Sequence, residues 1–253
     1  MVSDRCICLR KVEYSETSQI LTLFGRNTGL LQVIAKGAHR QTKAGASKFD
    51  GGIDLLDLGN AVFTFDSSRD MHTLTEWKLR DGHLNLRKTL RGMYLALYAA
   101  ELLNNLVEAH DPHPELFDRL RHTLPHLGGN RSEEVFLAFH LDLLRQSGHQ
   151  VELETCVNCG QMPAPSCDTF YSSSRGGLIC RNCEGVVRDR YRLDGRLLRI
   201  AQQVLRLPRT HGTPQRLPQL TRHQTDPLNS LLAKHIEFAV GKNLRMRPLV
   251  AGK

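Results

Sequence analysis

Two cysteine pairs constrain the fold of this chain more than any other feature. The first pair is Cys156 and Cys159, and the second is Cys180 and Cys183. Two residues lie between the members of each pair, and twenty residues separate the two pairs. Two cysteines at this spacing can reach one cation around a tight turn, and two such pairs complete a tetrahedral site without an open position. The spacing predicts a structural Zn²⁺ site, which supports folding and activates no water. The alternative is a loop with four unligated thiols.

The segment around these pairs, residues 155–185, contains prolines and a Gly176-Gly177 pair, which are typical of a loop and hairpin. A segment this small has too little apolar surface to be stable alone, so metal is expected to stabilise it. Cys167 lies between the pairs and is interpreted as a bystander, with a role as alternative ligand left open.

Short strands separated by turns are predicted before residue 81. They are expected at residues 6–12, 18–24, 30–35, 53–58, 60–65 and 73–78. Arg26-Asn27-Thr28-Gly29 has the composition of a tight hairpin turn. Short strands with little helix favour a small barrel of the oligonucleotide-binding (OB) type, and a small sandwich is the alternative. Alternation places Cys6 and Cys8 on one strand face, where burial is expected.

After residue 81 the apolar residues follow the i, i+3, i+4 spacing of amphipathic helices. Helices are expected at residues 86–110, 115–124, 132–147, 194–207 and 226–246. The second helix is expected to be stopped by Pro125 and Gly128-Gly129, the third to be capped by Ser132, and the tail from Arg247 to be frayed.

The predicted fold class is α+β, with an OB barrel followed by a helical domain that carries an inserted four-cysteine zinc module. The predicted domains are the barrel at 1–80, the helical domain at 81–154, the zinc module at 155–190 and C-terminal helices at 191–253. The last segment is expected to pack with the helical domain.

Charge is distributed unevenly along a chain whose formal net charge is +8. Residues 1–48 hold eight Lys or Arg against three Asp or Glu, and residues 155–253 hold sixteen against six, whereas the two stretches between them, 49–80 and 81–154, are acidic. Excess positive charge favours a polyanion such as nucleic acid as partner, and the alternative is a role in solubility only.

No segment is apolar over the roughly 20 residues that a membrane span needs, because the longest apolar run, residues 93–100, has eight. The N-terminus has no apolar stretch typical of an export signal. We therefore expect no membrane association and a reducing, cytoplasmic location near the nucleoid. Seven cysteines, an odd number, make a disulfide framework a poor interpretation.

A basic segment with small residues between its cations follows the third predicted strand. Its candidate DNA contacts are Lys36, Arg40, Lys43 and Lys48. Small residues let a phosphate backbone approach closely, and flexible cations then bind it by charge. A solvated loop is the alternative. Arg10, Lys11 and Arg26 on the predicted barrel are weaker candidates, and Tyr14, Phe24, Phe49, Phe63 and Phe65 are available for base stacking or for the core.

Catalytic patterns are missing from the sequence. It has no Gly-rich phosphate loop ending in Gly-Lys-Ser/Thr, and no His-x-Glu followed by Pro-Cys-x-x-Cys as in zinc deaminases. We expect a protein that is not an enzyme. A zinc-dependent enzyme would need an open metal position.

Four stretches, in order, resemble the bacterial recombination mediator family RecO. They are Val12–Phe24 with Gly29 and 35–38, then 99–103 with 115–117, then 139–160, and then 176–183. The resemblance implies an OB barrel, a helical domain and a zinc module. It also implies a mediator of DNA repair and homologous recombination in the RecF pathway, which binds single- and double-stranded DNA, anneals complementary strands and helps load recombinase.

The partners that the resemblance implies are a RecR-like clamp protein and the single-strand-binding protein (SSB) that coats the DNA. The alternative function is a zinc-containing protein-interaction adaptor without direct DNA contact.

Overall fold

The chain divides into two compact units, Met1–Gly128 and Gly129–Lys253. A computed structural model describes residues 1–38, 49–50, 52–66, 68–163, 169–207 and 217–251. The domain boundaries expected from the sequence lie elsewhere along the chain and stay a prediction.

Five strands of the first unit close into a barrel. They are β1 (Val2–Ser15), β2 (Ser18–Gly25), β3 (Gly29–Lys36), β5 (Leu58–Thr64) and β6 (Met71–Asp81), and a short strand β4 (Phe49–Asp50) pairs with β6. Their order is β3-β2-β1-β5-β6, and a parallel pairing of β3 with β6 closes the cycle. The predicted barrel is therefore confirmed, and the sandwich is not formed.

The barrel core contains the inward side chains of alternating strand positions. Cys6 and Cys8 are both fully buried, as predicted, and Leu21, Val33 and Trp77 pack in the same cluster. Burial raises the pKa of the Cys8 thiol to about 12, and it also raises the pKa of the Cys6 thiol. Both side chains therefore act as small apolar groups and not as nucleophiles.

Residues 53–57 form a turn, so the strand predicted at 53–58 is wrong over most of its length. The Asp54 amide donates to Asp57 Oδ2 at 2.7 Å, and the Asp57 amide donates to the Asp54 carbonyl at 3.2 Å. Leu56 has a φ of 68° and is buried. The two aspartates bend the backbone, so that Ile53 and Leu56 reach the core without strand pairing.

Two helices complete the first unit, α1 (Leu90–Leu106) and α2 (Pro114–Leu127), after a 3₁₀ turn at Leu84–Lys88. The single helix predicted over 86–110 is wrong at both ends. Thr89 is extended and its hydroxyl accepts from the Gly92 amide at 3.1 Å, which starts α1 afresh. Pro125 lies inside α2 and does not end it, whereas Gly128, the other expected stop, directly follows its last residue.

The second unit combines helices with a small sheet. Its helices are α3 (Ser132–Gln146), α4 (Gly195–Leu205), α5 (Arg222–Val240) and α6 (Arg247–Val250), and its strands are β7 (Glu152–Cys156), β8 (Thr169–Ser172), β9 (Gly177–Ile179) and β10 (Tyr191–Leu193). The strand order is β10-β8-β9-β7.

Four details of this unit differ from expectation, and one of them is that α5 ends at Val240 and not at residue 246. Arg131, and not Ser132, is the N-terminal residue that flanks α3. Helix α5 starts four residues early, because Thr221 and Gln224 form a capping box. The tail is not frayed through its whole length, because Val250 on α6 is fully buried.

Among the helices in the described part of the chain, none has the length and apolar character that a bilayer span requires.

Candidate metal centre and nucleic-acid interface

The four cysteines of the two pairs come together in the second unit. Cys156 ends β7, Cys159 follows in the next turn, Cys180 follows β9, and Cys183 lies in a 3₁₀ turn. Their sulfur atoms all lie within 4.8 Å of one another, and those of Cys159 and Cys180 are 3.7 Å apart. Thiolates bound at about 2.3 Å to one tetrahedral metal would lie about 3.8 Å apart. The spacing of the four sulfurs therefore fits one metal ion.

Hydrogen-bond donors lie at two of these sulfurs and favour the thiolate form there, whereas contacts among the four thiols help to raise the pKa of Cys159 and Cys183. The Cys180 amide donates to Cys156 Sγ at 3.3 Å, and Asn158 Nδ2 donates to Cys183 Sγ at 3.3 Å. Desolvation by burial raises the pKa of Cys156, but backbone donors, led by the Cys180 amide, outweigh it and lower the pKa to about 6. Gly160 has a φ of +75°, which lets the first turn close.

The sulfur cluster has a closed protein environment on one side. Cys156 and Cys183 are buried with Ile179 and Val187, whereas Cys159 is exposed. Four sulfur ligands fill a tetrahedral site, so the arrangement can hold a metal as a structural crosslink between β7 and the segment after β9. Cys167, the possible alternative ligand, lies outside the described residues.

The outward face of β1, β2 and β3 is the candidate nucleic-acid interface, and its side chains stand in register across the strands. One row is Arg10, Thr22, Gln32 and Met71, the next is Val12, Ile20, Ile34 and Thr73, and Lys36 lies opposite Ser18. Directly opposite side chains on neighbouring strands lie about 5 Å apart. The face therefore presents a continuous apolar strip with cations on either side.

Among the described residues, helix α2 and the chain that precedes it cover one end of this face. The Phe24 and Phe117 rings pack with centroids 5.9 Å apart, and the His110 amide donates to the Leu30 carbonyl at 2.9 Å. At the other end Tyr14 is 65% exposed and Val12 is 40% exposed. The end near Tyr14 is thus open to a ligand.

The seven predicted DNA contacts have different surroundings. Arg10 and Lys36 are exposed on this outward face. The Lys11 amine donates to the Ile53 carbonyl at 3.2 Å and lies 3.5 Å from Asp54, and so tethers the 53–57 turn. Arg40, Lys43 and Lys48 lie outside the described residues.

Arg26 is the remaining candidate, and it has a structural partner. Its Nη2 lies 2.8 Å from Asp118 Oδ2 on α2, and the guanidinium beside Asp118 holds the pKa of that carboxyl below its usual range despite desolvation. The assignment of all seven residues to DNA stays a prediction.

The five aromatic candidates fall into a buried group and an exposed group. Phe24, Phe49 and Phe63 are buried, whereas Tyr14 and Phe65 are exposed. The sequence interpretation missed the apolar strip at Val12, Ile20 and Ile34, although alternation with buried neighbours along each strand could have indicated it.

Two family models match the chain in succession. The model described as Recombination protein O N terminal matches residues 1–83, and the model described as Recombination protein O C terminal matches residues 87–248. The chain belongs to the RecO family of DNA repair proteins. The resemblance found in the sequence motifs is thereby confirmed.

Individual RecO relatives extend over most or all of the chain. DNA repair protein RecO of Rhodopirellula baltica is 35% identical over 180 residues, which are 70% of this chain and 65% of that protein. The RecO protein of Alkaliphilus metalliredigens is 31% identical over 189 residues, 74% of this chain and 73% of that protein. That of Bacillus pumilus is 29% identical over 265 residues, 100% of this chain and 98% of that protein.

Proposed function

We propose that this RecO family member is a non-catalytic mediator of DNA repair and homologous recombination that binds single- and double-stranded DNA through the open end of the outward barrel face. It anneals complementary strands and helps load recombinase onto SSB-coated single strands, with a RecR-like clamp protein as a further partner, in the cytoplasm. The observation that carries the proposal is the exposed face of Arg10, Lys36, Tyr14 and the Val12 strip on a closed barrel.

Two physical contributions support binding at this face. Arg10 and Lys36 are exposed and can neutralise phosphates, and the basic segment that follows Lys36 adds further cations. Tyr14 projects an exposed ring, and base–aromatic stacking contributes about 1–3 kcal/mol per base without sequence preference. Charge therefore positions the backbone while stacking holds bases, which suits a protein that anneals any complementary pair.

Fluorescence anisotropy with a labelled single strand tests this proposal. If four to six phosphates are neutralised, the logarithm of affinity falls with that of salt concentration with a slope of about −3 to −4. The Arg10→Ser/Lys36→Ser variant should reduce the slope by about 1.4, whereas Arg69→Ser/Lys88→Ser, exposed cations outside the face, should not. Equal slopes in both variants would contradict the site.

Zn²⁺ is the metal that we propose for the four cysteines. Soft thiolate donors in a closed tetrahedral set suit Zn²⁺, which has no redox chemistry and stabilises the fold. Metal analysis and X-ray absorption should find one zinc per chain with four sulfur neighbours, and iron or an open coordination position would contradict the assignment.

The alternative is an interaction adaptor, favoured by one observation. Val12, Ile20 and Ile34 form an apolar strip that a protein could also cover. Pull-down of a RecR-like clamp with and without DNA separates the functions, because an adaptor binds the clamp while showing no salt-sensitive DNA affinity.

A further inference from the structure

A second set of cations lies on the outward side of β1, β5 and β6, at the opposite end of β1 from Tyr14. Arg5 on β1 stands opposite Asn60 on β5, and Asn60 stands opposite Lys78 on β6. The neighbours Cys6, Ala61 and Trp77 point into the core, so these three side chains point outward. Arg5 and Lys78 are exposed.

The β2–β3 turn and helix α2 border this flank and make it a shallow, open cleft. Arg26, Asn27, Asp118 and Arg121 line it together with Arg5, Asn60 and their neighbours, and its volume is about 590 Å³. The described lining side chains are polar or charged. The cleft thus differs in chemistry from the apolar strip of the other face.

Buried hydrogen bonds fix the walls of the cleft. Asp4, which is 5% exposed, accepts from the amides of Asn27 at 2.8 Å and Thr28 at 3.0 Å, and so holds the turn. Arg26 is clamped by Asp118, and the Arg80 Nη2 donates to the Asn60 amide oxygen at 2.8 Å in the orientation that satisfies both groups. Arg26 and Arg80 are therefore held in place before any ligand arrives.

Positive charge exceeds negative charge around the cleft. Its lining holds the cations Arg5, Arg26 and Arg121 and the carboxylates Asp4 and Asp118. Neighbouring positions of β6 add Lys78, Arg80 and Glu76. Asp4 and Asp118 are engaged by the turn and by Arg26, whereas Arg5 and Lys78 are exposed. Guanidinium groups bind phosphate through paired N–H donors, so an anionic phosphate chain fits this surface.

We propose that this cleft is a second nucleic-acid site, which holds the phosphate backbone of a second strand while the outward face of β1–β3 holds the first. This inference rests on the proposed function. Arg5 and Arg10 are five residues apart on β1, about 17 Å at 3.4 Å per residue, so one barrel can hold two separate strands. The polar lining binds the backbone and leaves the bases free for pairing.

Energy transfer between two labelled oligonucleotides of non-complementary sequence tests the proposal on the full-length protein. Oligothymidine carrying a donor is bound first, and a second oligothymidine carrying an acceptor is titrated at low salt. The variant Arg5→Ser/Lys78→Ser should keep its affinity for the first strand within about twofold and weaken the second at least tenfold, with a matching fall in annealing rate. Arg69→Ser/Lys88→Ser, which removes two cations outside both sites, should leave both affinities unchanged.

The possible outcomes separate this inference from the proposed function. Binding of one strand but no salt-sensitive binding of a second overturns the inference alone, whereas no DNA binding at all overturns both. The inference is also overturned if the two variants bind the second strand with equal affinity. The same holds if Arg5→Ser/Lys78→Ser loses affinity for the first strand while its Trp77 emission spectrum is unchanged. Stronger displacement of the second strand by polyglutamate than by unlabelled oligothymidine at equal charge concentration would overturn the inference and mark the cleft as a site for acidic protein.

Discussion

Acid should destabilise the second unit through one buried histidine. His140 on α3 is fully buried, and its Nδ1 donates to Asn229 Oδ1 on α5 at 3.2 Å. Desolvation by burial lowers the pKa of His140 to about 4, although the bond to Asn229 raises it. Because the unfolded chain has a histidine pKa of about 6.5, it binds the proton more tightly than the folded chain, and acid favours unfolding.

The magnitude follows from these two pKa values. The contribution of neutral His140 is fully present above about pH 6.5 and is lost progressively as the pH falls toward 4. Between pH 7 and pH 5 the loss amounts to about 2 kcal/mol of unfolding free energy. This is a large part of the stability of an ordinary domain, which is about 5–15 kcal/mol.

Hydrogen exchange of α3 and α5 peptides along a urea series measures this free energy at each pH. The variant His140→Gln is the comparison, because it has no group that titrates in this range but can still donate to Asn229. Both proteins carry the same cysteines and carboxylates, so the difference between their pH profiles isolates His140. The profiles should diverge by about 2 kcal/mol between pH 7 and 5, and parallel profiles would refute the reasoning.

Three further predictions concern the barrel and the cysteine cluster. Asp4→Ala leaves the two turn amides without an acceptor and should lower the unfolding free energy by about 2–5 kcal/mol. Trp77 fluorescence in a urea titration measures this loss, and an unchanged unfolding midpoint would contradict it. Gly59→Ala places a Cβ 2.3 Å from the Trp77 ring and should cost about 1–3 kcal/mol, whereas wild-type stability would show that the strand can shift freely. A chelator should increase proteolysis within residues 156–183 first, and an unchanged digestion pattern there would contradict a structural metal.

Local patterns predicted the parts of the fold whose causes are local. The two cysteine pairs sit at the spacing that a tight turn imposes, and alternation along β1 placed Cys6 and Cys8 inside the barrel. The turn at 53–57 was missed because its apolar residues suggested a strand, while the Asp54–Asp57 hydrogen bonds decided the backbone path.

Parts of the candidate sites depend on contacts between distant residues. Arg26 looked free in sequence, but its partner Asp118 lies 92 residues away. The second cleft likewise brings together Arg5, Arg26 and Arg121 from separate elements, and a charge count along the chain does not show this. Only strand register and helix packing show which cations share a surface.

Photocrosslinking with oligonucleotides that carry 5-iodouracil tests the central claim most directly, because this base couples to aromatic side chains that it contacts. We expect mass spectrometry to find the crosslinks on the outward face of β1–β3, with Tyr14 as the principal site. Crosslinks confined to residues 129–251 would contradict it.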